Sequence, residues 1–257
     1  PLVQDGESKS TIVLAPEPTF QETLGADELQ RYVHLMTGAE LPVHRAGTFG
    51  DNTDDLLIAI GRPATHPLLG ELESEGLVSV DAAELTEEGF ILKTARWRNH
   101  DVIAIAGAGD VSTLYAVYDL LERFGRIGFF RYEEHVPRTS DFTIPACDIK
   151  ERPHFKVRMH GGQYHYYGIQ WFSENQWKEN LRWYAKHRMN RTNFQPGPAV
   201  HDHASRGVWK RLGLRNKEDE EPVDEKTASA VLLLQQMSRY GRKLGVRAPL
   251  ASTDGQL

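Results

Sequence analysis

The chain has 257 residues, 40% of them hydrophobic and 26% charged, with a formal net charge of −6. That length holds one large or two ordinary domains, and the balance is that of a globular protein. The acidic excess opposes nucleic-acid and anionic-membrane surfaces, which reward clustered Lys and Arg. No run approaches the ~20 apolar residues of a membrane helix, and the single Cys147 excludes both an intrachain disulfide and a multi-cysteine zinc site.

In chain order, residues 11–14 read as a short β-branched strand. Over 25–37, Leu29, Val33 and Met36 recur at helical spacing, and Gly38 fits the position after a helix end. Residues 41–44 and 56–60 read as strands, the second an apolar run suited to a buried position. Residues 89–94 and 102–106 form a strand pair around the polar turn 96–101. A helix then starts at Asp110 as N-cap, with Leu114, Val117, Tyr118 and Leu121 on one face. Together these predict a small two-layer α/β domain over 1–150.

The rhythm changes across a seam at 142–162. Residues 155–159 read as a strand that opens into His160-Gly161-Gly162 and a run of aromatics. Ser173 and Gln176 have the spacing of a capping box ahead of a helix carrying Trp177, Leu181, Tyr184 and Ala185 on one face. Residues 190–194 read as a second strand, and the acidic run 218–221 as a solvated loop. A longer helix starts near Asp224, with Leu233, Met237, Tyr240 and Leu244 in register, and 246–250 reads as a third strand. This β-α-β-α-β order fits either a doubly wound sheet or the start of a (β/α)8 barrel. Three strands are too few for a closed barrel of ~250 residues.

Several motifs point to chemistry and weaken on inspection. Gly107-Ala108-Gly109 follows a strand, but Ser112 stands where a dinucleotide fingerprint needs its third glycine, so a tight turn is the better reading. His201-Asp202-His203 follows Pro196-Gly197-Pro198 and has no helical His-x-x-x-His or matching carboxylate spacing, so no metal or other cofactor is expected. Cys147 has no base beside it, and the Asn190-Arg191-Thr192 sequon lies at a helix-to-strand join.

The stronger signal is aromatic. Gln163, Tyr164, His165, Tyr166, Tyr167, Trp171 and Phe172 follow a strand end, on the face where (β/α)8 enzymes keep their active sites. Sugars present flat C–H faces and a rim of hydroxyls, which an aromatic platform edged by polar groups suits. A packed loop is the other reading. Asn193 and Gln195 end the second strand, and Asp254 follows the third, so polar groups collect at three consecutive strand ends. The candidate substrate-binding residues are therefore Gln163, Tyr164, His165, Asn193, Gln195 and Asp254.

The stretches 26–43, 56–63, 87–94 and 101–125 resemble the small N-terminal α/β domain that α-glucuronidases, β-hexosaminidases and α-N-acetylglucosaminidases carry ahead of a (β/α)8 barrel. Residues 161–168, 177–194, 207–214 and 236–256 are most similar to the barrel start of the α-N-acetylglucosaminidase family, although that family's usual tryptophan pair is missing from the aromatic loop. The resemblance implies a two-layer α/β domain over 1–150 and the first β/α units of a (β/α)8 barrel, left incomplete, over 151–257. It implies a glycoside hydrolase acting on terminal sugars of glycans, α-N-acetylglucosaminidase-like, with an α-glucuronidase type or a non-catalytic carbohydrate-binding scaffold as alternatives. The partner would be a glycan, with no nucleic acid and no membrane insertion, and the setting extracellular or periplasmic. Its catalytic carboxylates would lie on barrel strands after residue 257, since Glu174 and Glu179 belong to a barrel-exterior helix.

Overall fold

A computed structural model describes residues 1–47, 56–159, 172–192 and 225–247. The chain divides into two compact units, Pro1–Lys156 and Val157–Leu257.

The first unit opens with the two-stranded ribbon β1 (Val3–Gln4) and β2 (Glu7–Ser8), followed by β3 (Ser10–Leu14) and helix α1 (Phe20–Thr37). Next come β4 (Val43–Arg45), β5 (Leu56–Gly61), α2 (Pro67–Ser74) and α3 (Ala82–Leu85). The hairpin β6 (Phe90–Trp97) and β7 (His100–Gly107) leads into α4 (Asp110–Arg123), and β8 (Gly128–Phe129), β9 (Glu134–His135) and β10 (Asp148–Glu151) complete the unit. Six of these strands form one mixed sheet in the order β10-β6-β7-β5-β3-β4. Strands β4, β3, β5 and β7 run parallel, β6 runs against them, and β10, antiparallel to β6, returns to their direction.

Alternation along the central strands gives the sheet two apolar faces, so helices cover both sides instead of the single side of a two-layer domain. Val13, Leu57, Ala59, Val102, Ala104 and Ala106 pack with Leu68, Leu69 and Leu72 of α2. The intervening residues face α1 and α4, which pack on each other. Gly25 makes that crossing possible: a Cβ there would lie 3.1 Å from Val117 Cγ2. Buried on both sides, β5 keeps the continuous apolar run expected of a central parallel strand.

Local signals set the ends. Helix α1 begins earlier than apolar periodicity predicts, because Thr19 and Glu22 form a reciprocal capping box, and it ends on Gly38 at φ 78°. Strand β4 starts at Val43 rather than at 41: Pro42 has no N–H to give, although its carbonyl accepts from Ile12. Helix α4 is capped by Gly109 and not by Asp110, since the Ser112 hydroxyl accepts the Gly109 N–H at 2.9 Å. The β6–β7 strands extend to Trp97 and His100, so the turn is far shorter than 96–101. The two glycines before α4 are steric requirements. A Cβ on Gly107 would collide with the Thr113 backbone, and one on Gly109 would lie 2.7 Å from the Glu87 carbonyl oxygen.

The expected strand at 155–159 is not formed. Only Met159 makes a bridge, while Phe155 is 68% and Val157 60% exposed. The strand before the seam is β10, which gains a full ladder on β6, whereas beyond Pro153 the backbone meets a neighbouring segment only at Arg158 and Met159, too short a contact for a ladder.

In the second unit, α5 (Glu174–Lys186) starts from the expected capping box of Ser173 and Gln176, and a long helix α6 (Glu225–Lys243) packs against it. Trp177, Leu181 and Tyr184 are buried, as are Met237, Leu244 and Val246. Gly241 allows close approach, since a Cβ there would lie 2.8 Å from the Val246 carbonyl oxygen and 3.4 Å from Leu181 Cδ2. No closed barrel is formed among the described residues.

Candidate functional site

Three short segments of the second unit align in parallel through Met159, Arg191 and Arg247. Backbone bonds fix their register: Arg191 N–H donates to the Arg158 carbonyl at 3.1 Å, and Thr192 N–H to that of Arg247 at 3.0 Å. Side-chain alternation gives the row two faces. Asn190, Thr192 and Val246 are buried, whereas Met159, Arg191 and Arg247 are partly or largely exposed on the other side. Asn190 also stitches the row together, its Oδ1 accepting the Arg158 N–H at 3.0 Å. At 5% exposure, this asparagine is a structural linchpin and not an accessible glycan acceptor.

All three segments run in the same direction. In the sequence, Gln163, Tyr164 and His165 follow Met159, Asn193 and Gln195 follow Arg191, and Asp254 follows Arg247. All six lie outside the described residues, as do His201, Asp202 and His203. Glu174 and Glu179 are exposed on α5, with Glu174 paired to Lys178 at 2.6 Å, which suits a solvated helix face and not an acid–base pair. Among the described residues no cluster of His, Cys, Asp or Glu could hold a metal ion. No described helix is long and apolar enough to cross a membrane. Burial pushes the Cys147 thiol upward, away from nucleophilic reactivity.

A polar cluster that the sequence did not reveal sits at the carboxyl ends of β3 and β5, where open α/β sheets place ligands. His66 is fully buried and caps α2: its Nδ1 accepts the Leu69 N–H at 3.4 Å, and its Nε2–H donates to the Val13 carbonyl at 3.0 Å. Burial lowers its pKa, so the ring is held neutral. Glu22 is also fully buried; Oε2 accepts the Thr19 N–H at 2.8 Å, and Oε1 has no hydrogen-bond partner. Burial raises the Glu22 carboxyl, outweighing the Thr19 bond and the Arg62 charge that lower it. Arg62 in turn pairs with Asp110 at 2.9 Å. The cluster is closed, because a Cβ on Gly61 would stand 3.1 Å from both Glu22 Oε1 and His66 Cδ2. It locks strand ends to helix starts and leaves no room for a ligand. A separate open groove of about 620 Å³ runs between α1 and β4, past Asp27, Arg31, His34 and Val43.

Comparison with known proteins gives this architecture its context. Residues 4–120 match the family described as glycosyl hydrolase family 67 N-terminus. Curated protein sequences give no match. Among solved structures, CpGH84D aligns with a TM-score of 0.54 at 12% identity, over 96% of this chain and 34% of its own. The 4-O-methyl-alpha-glucuronidase BtGH115A aligns at 0.50 and 13%, over 74% of this chain and 25% of its own. The Streptomyces plicatus N-acetyl-beta-hexosaminidase aligns at 0.50 and 13%, over 93% of this chain and 40% of its own. The chain thus spans a quarter to two fifths of the structures it resembles, and at these identities the likeness concerns the fold. The first unit is similar to the N-terminal α/β domain of glycoside hydrolases.

Proposed function

We propose that this chain is the N-terminal part of a glycoside hydrolase that removes terminal sugars from glycans, with residues 1–150 as the accessory α/β domain and 151–257 as the opening of a (β/α)8 barrel. The observation that carries it is the row Met159–Arg191–Arg247, joined to a domain of family 67 N-terminal type. Its three parallel segments lie in sequential order, with α5 and α6 packed together, which fits successive right-handed crossovers of a barrel better than a doubly wound sheet. Gln163, Tyr164, His165, Asn193, Gln195 and Asp254 would then frame the sugar, and the two catalytic carboxylates would come from later strands. Such glycans are degraded outside the cytoplasm, so the setting is extracellular or periplasmic.

Two sugars compete for the site. The aromatic loop favours N-acetylglucosamine, as in the α-N-acetylglucosaminidase family. A glucuronic acid end group is favoured by a different observation: Arg191 and Arg247 are register partners on the exposed face and supply positive charge for a carboxylate. Saturation-transfer NMR on the chain with each monosaccharide tests the site. Binding that weakens about tenfold in Tyr164→Ala and Asn193→Ala supports it. Signals from neither sugar, or signals indifferent to both substitutions, refute it.

A further inference from the structure

The connection between β8 and β9 reads Phe130-Arg131-Tyr132-Glu133, and both of its rings are largely in solvent, Phe130 at 63% and Tyr132 at 77% exposed. The base beneath them is firmly held. Phe129 is buried edge-on between Tyr32 and Tyr118, with ring centroids 5.4 and 5.7 Å away. Across the ladder from it, Glu134 takes the Tyr32 hydroxyl at 2.7 Å and an Arg31 N–H at 3.3 Å.

Both exposed rings are also backed on one side. Phe130 lies over the backbone of Gly128, where an added Cβ would come within 2.9 Å of its ring, so only glycine lets the ring settle there. The Arg131 guanidinium stands 5.4 Å from the Tyr132 ring centroid. A ring with one side covered and the rest in water, on an anchored support, is preorganised to stack.

From this geometry we infer a second carbohydrate-contact site on the tip 130–132, apart from the strand-end site of the second unit. The ligand class is a polysaccharide or oligosaccharide whose pyranose C–H faces stack on Phe130 and Tyr132, with Glu133 beside them for hydroxyls. Two rings separated by one charged residue are too small and too polar-edged for the core of a protein interface, which needs roughly 800 Å² per partner. One ring per sugar face is enough for a glycan. The ligand's class rests on the carbohydrate-active reading above; the location does not.

Affinity electrophoresis of the chain through gels containing glucuronoxylan, arabinogalactan or glycol chitin tests the site, beside the variants Tyr132→Leu and Phe130→Ala/Tyr132→Ala. Retardation by at least one polymer is expected, weakened about tenfold per ring removed, with melting unchanged because both side chains are exposed. No retardation of the native chain, or equal retardation of the double variant, overturns the proposal. So does self-association of the native chain that the double variant abolishes, which would make the tip a protein contact. Glycoside hydrolysis by the full-length protein with ring-independent retardation would sink this site and leave the enzyme reading intact; ring-dependent retardation without hydrolysis would do the reverse.

Discussion

Replacing His66 with Ala removes a side chain that hydrogen-bonds the end of β3 to the start of α2. The Val13 carbonyl and the Leu69 N–H, both in buried residues, lose their imidazole partner together. Loss of an N-cap costs about 1 kcal/mol, loss of the bond to the Val13 carbonyl about 1, and the emptied ring volume adds about 1–3. The first unit should therefore lose roughly 3–5 kcal/mol, a fall of about 10 °C or more in its melting transition. His66→Asn keeps a good cap but falls short of Val13, so it should cost about half as much. The pH profile separates this account from simple loss of volume. Because the folded-state pKa of His66 lies below its ordinary 6.5, the unfolded chain binds more protons at this position. The His66 contribution is complete above pH 6.5 and is lost as pH falls toward the folded value. Thermal melts at half-unit steps from pH 5 to 8 should show wild type losing this stability below 6.5, with His66→Asn lacking that component. A cost under 1 kcal/mol for His66→Ala, or identical pH slopes in wild type and His66→Asn, would refute the reasoning.

Glu22 has the opposite sign: its raised pKa makes its contribution complete below pH 4.5 and lost as pH rises through the folded value. Glu22→Gln keeps an acceptor for Thr19 and should remove that loss, a result that melts above pH 5 would show as a gain over wild type and that an unchanged profile would contradict. Gly25→Leu should destabilise by about 1–3 kcal/mol through overpacking against Val117, and Val117→Ala should recover more than half of it in a denaturant double-mutant cycle. Expression in a glycosylating host should leave Asn190 unmodified, because its Oδ1 is buried on the Arg158 N–H; an intact mass that drops after glycan removal and localises to this residue would contradict that assignment.

The sheet was legible in the sequence wherever burial on both sides forces an apolar run, as in β5, and wherever alternation meets an obvious partner, as in β6 and β7. Helix starts were less legible because their signals are two or three polar residues and not a period. Thr19 with Glu22, and His66 ahead of Pro67, were both present and both passed over, which delayed α1 and hid α2. The alternation of Phe155, Val157 and Met159 misled in the other direction, since a strand needs a ladder as well as a pattern and this segment meets its neighbour only at Arg158 and Met159. Of the candidate site, the sequence order of three parallel segments was readable. The buried pair Glu22 and His66 was not, because 44 positions separate them in the chain and only the packing of β3 beside β5 unites them. The Phe130 platform likewise depends on Gly128, which sequence shows only as a glycine beside an aromatic run.

The measurement that bears most directly on the central claim is hydrolysis by the full-length protein that contains this chain. It should be offered aryl α-N-acetylglucosaminide, α-glucuronide and β-N-acetylhexosaminide, with the released aglycone followed by absorbance. The account predicts turnover of one of the three and at least tenfold loss of kcat/KM in Tyr164→Ala, while Tyr132→Leu leaves these small substrates unaffected. No release from any of them, extended to a broad glycoside panel, would contradict it.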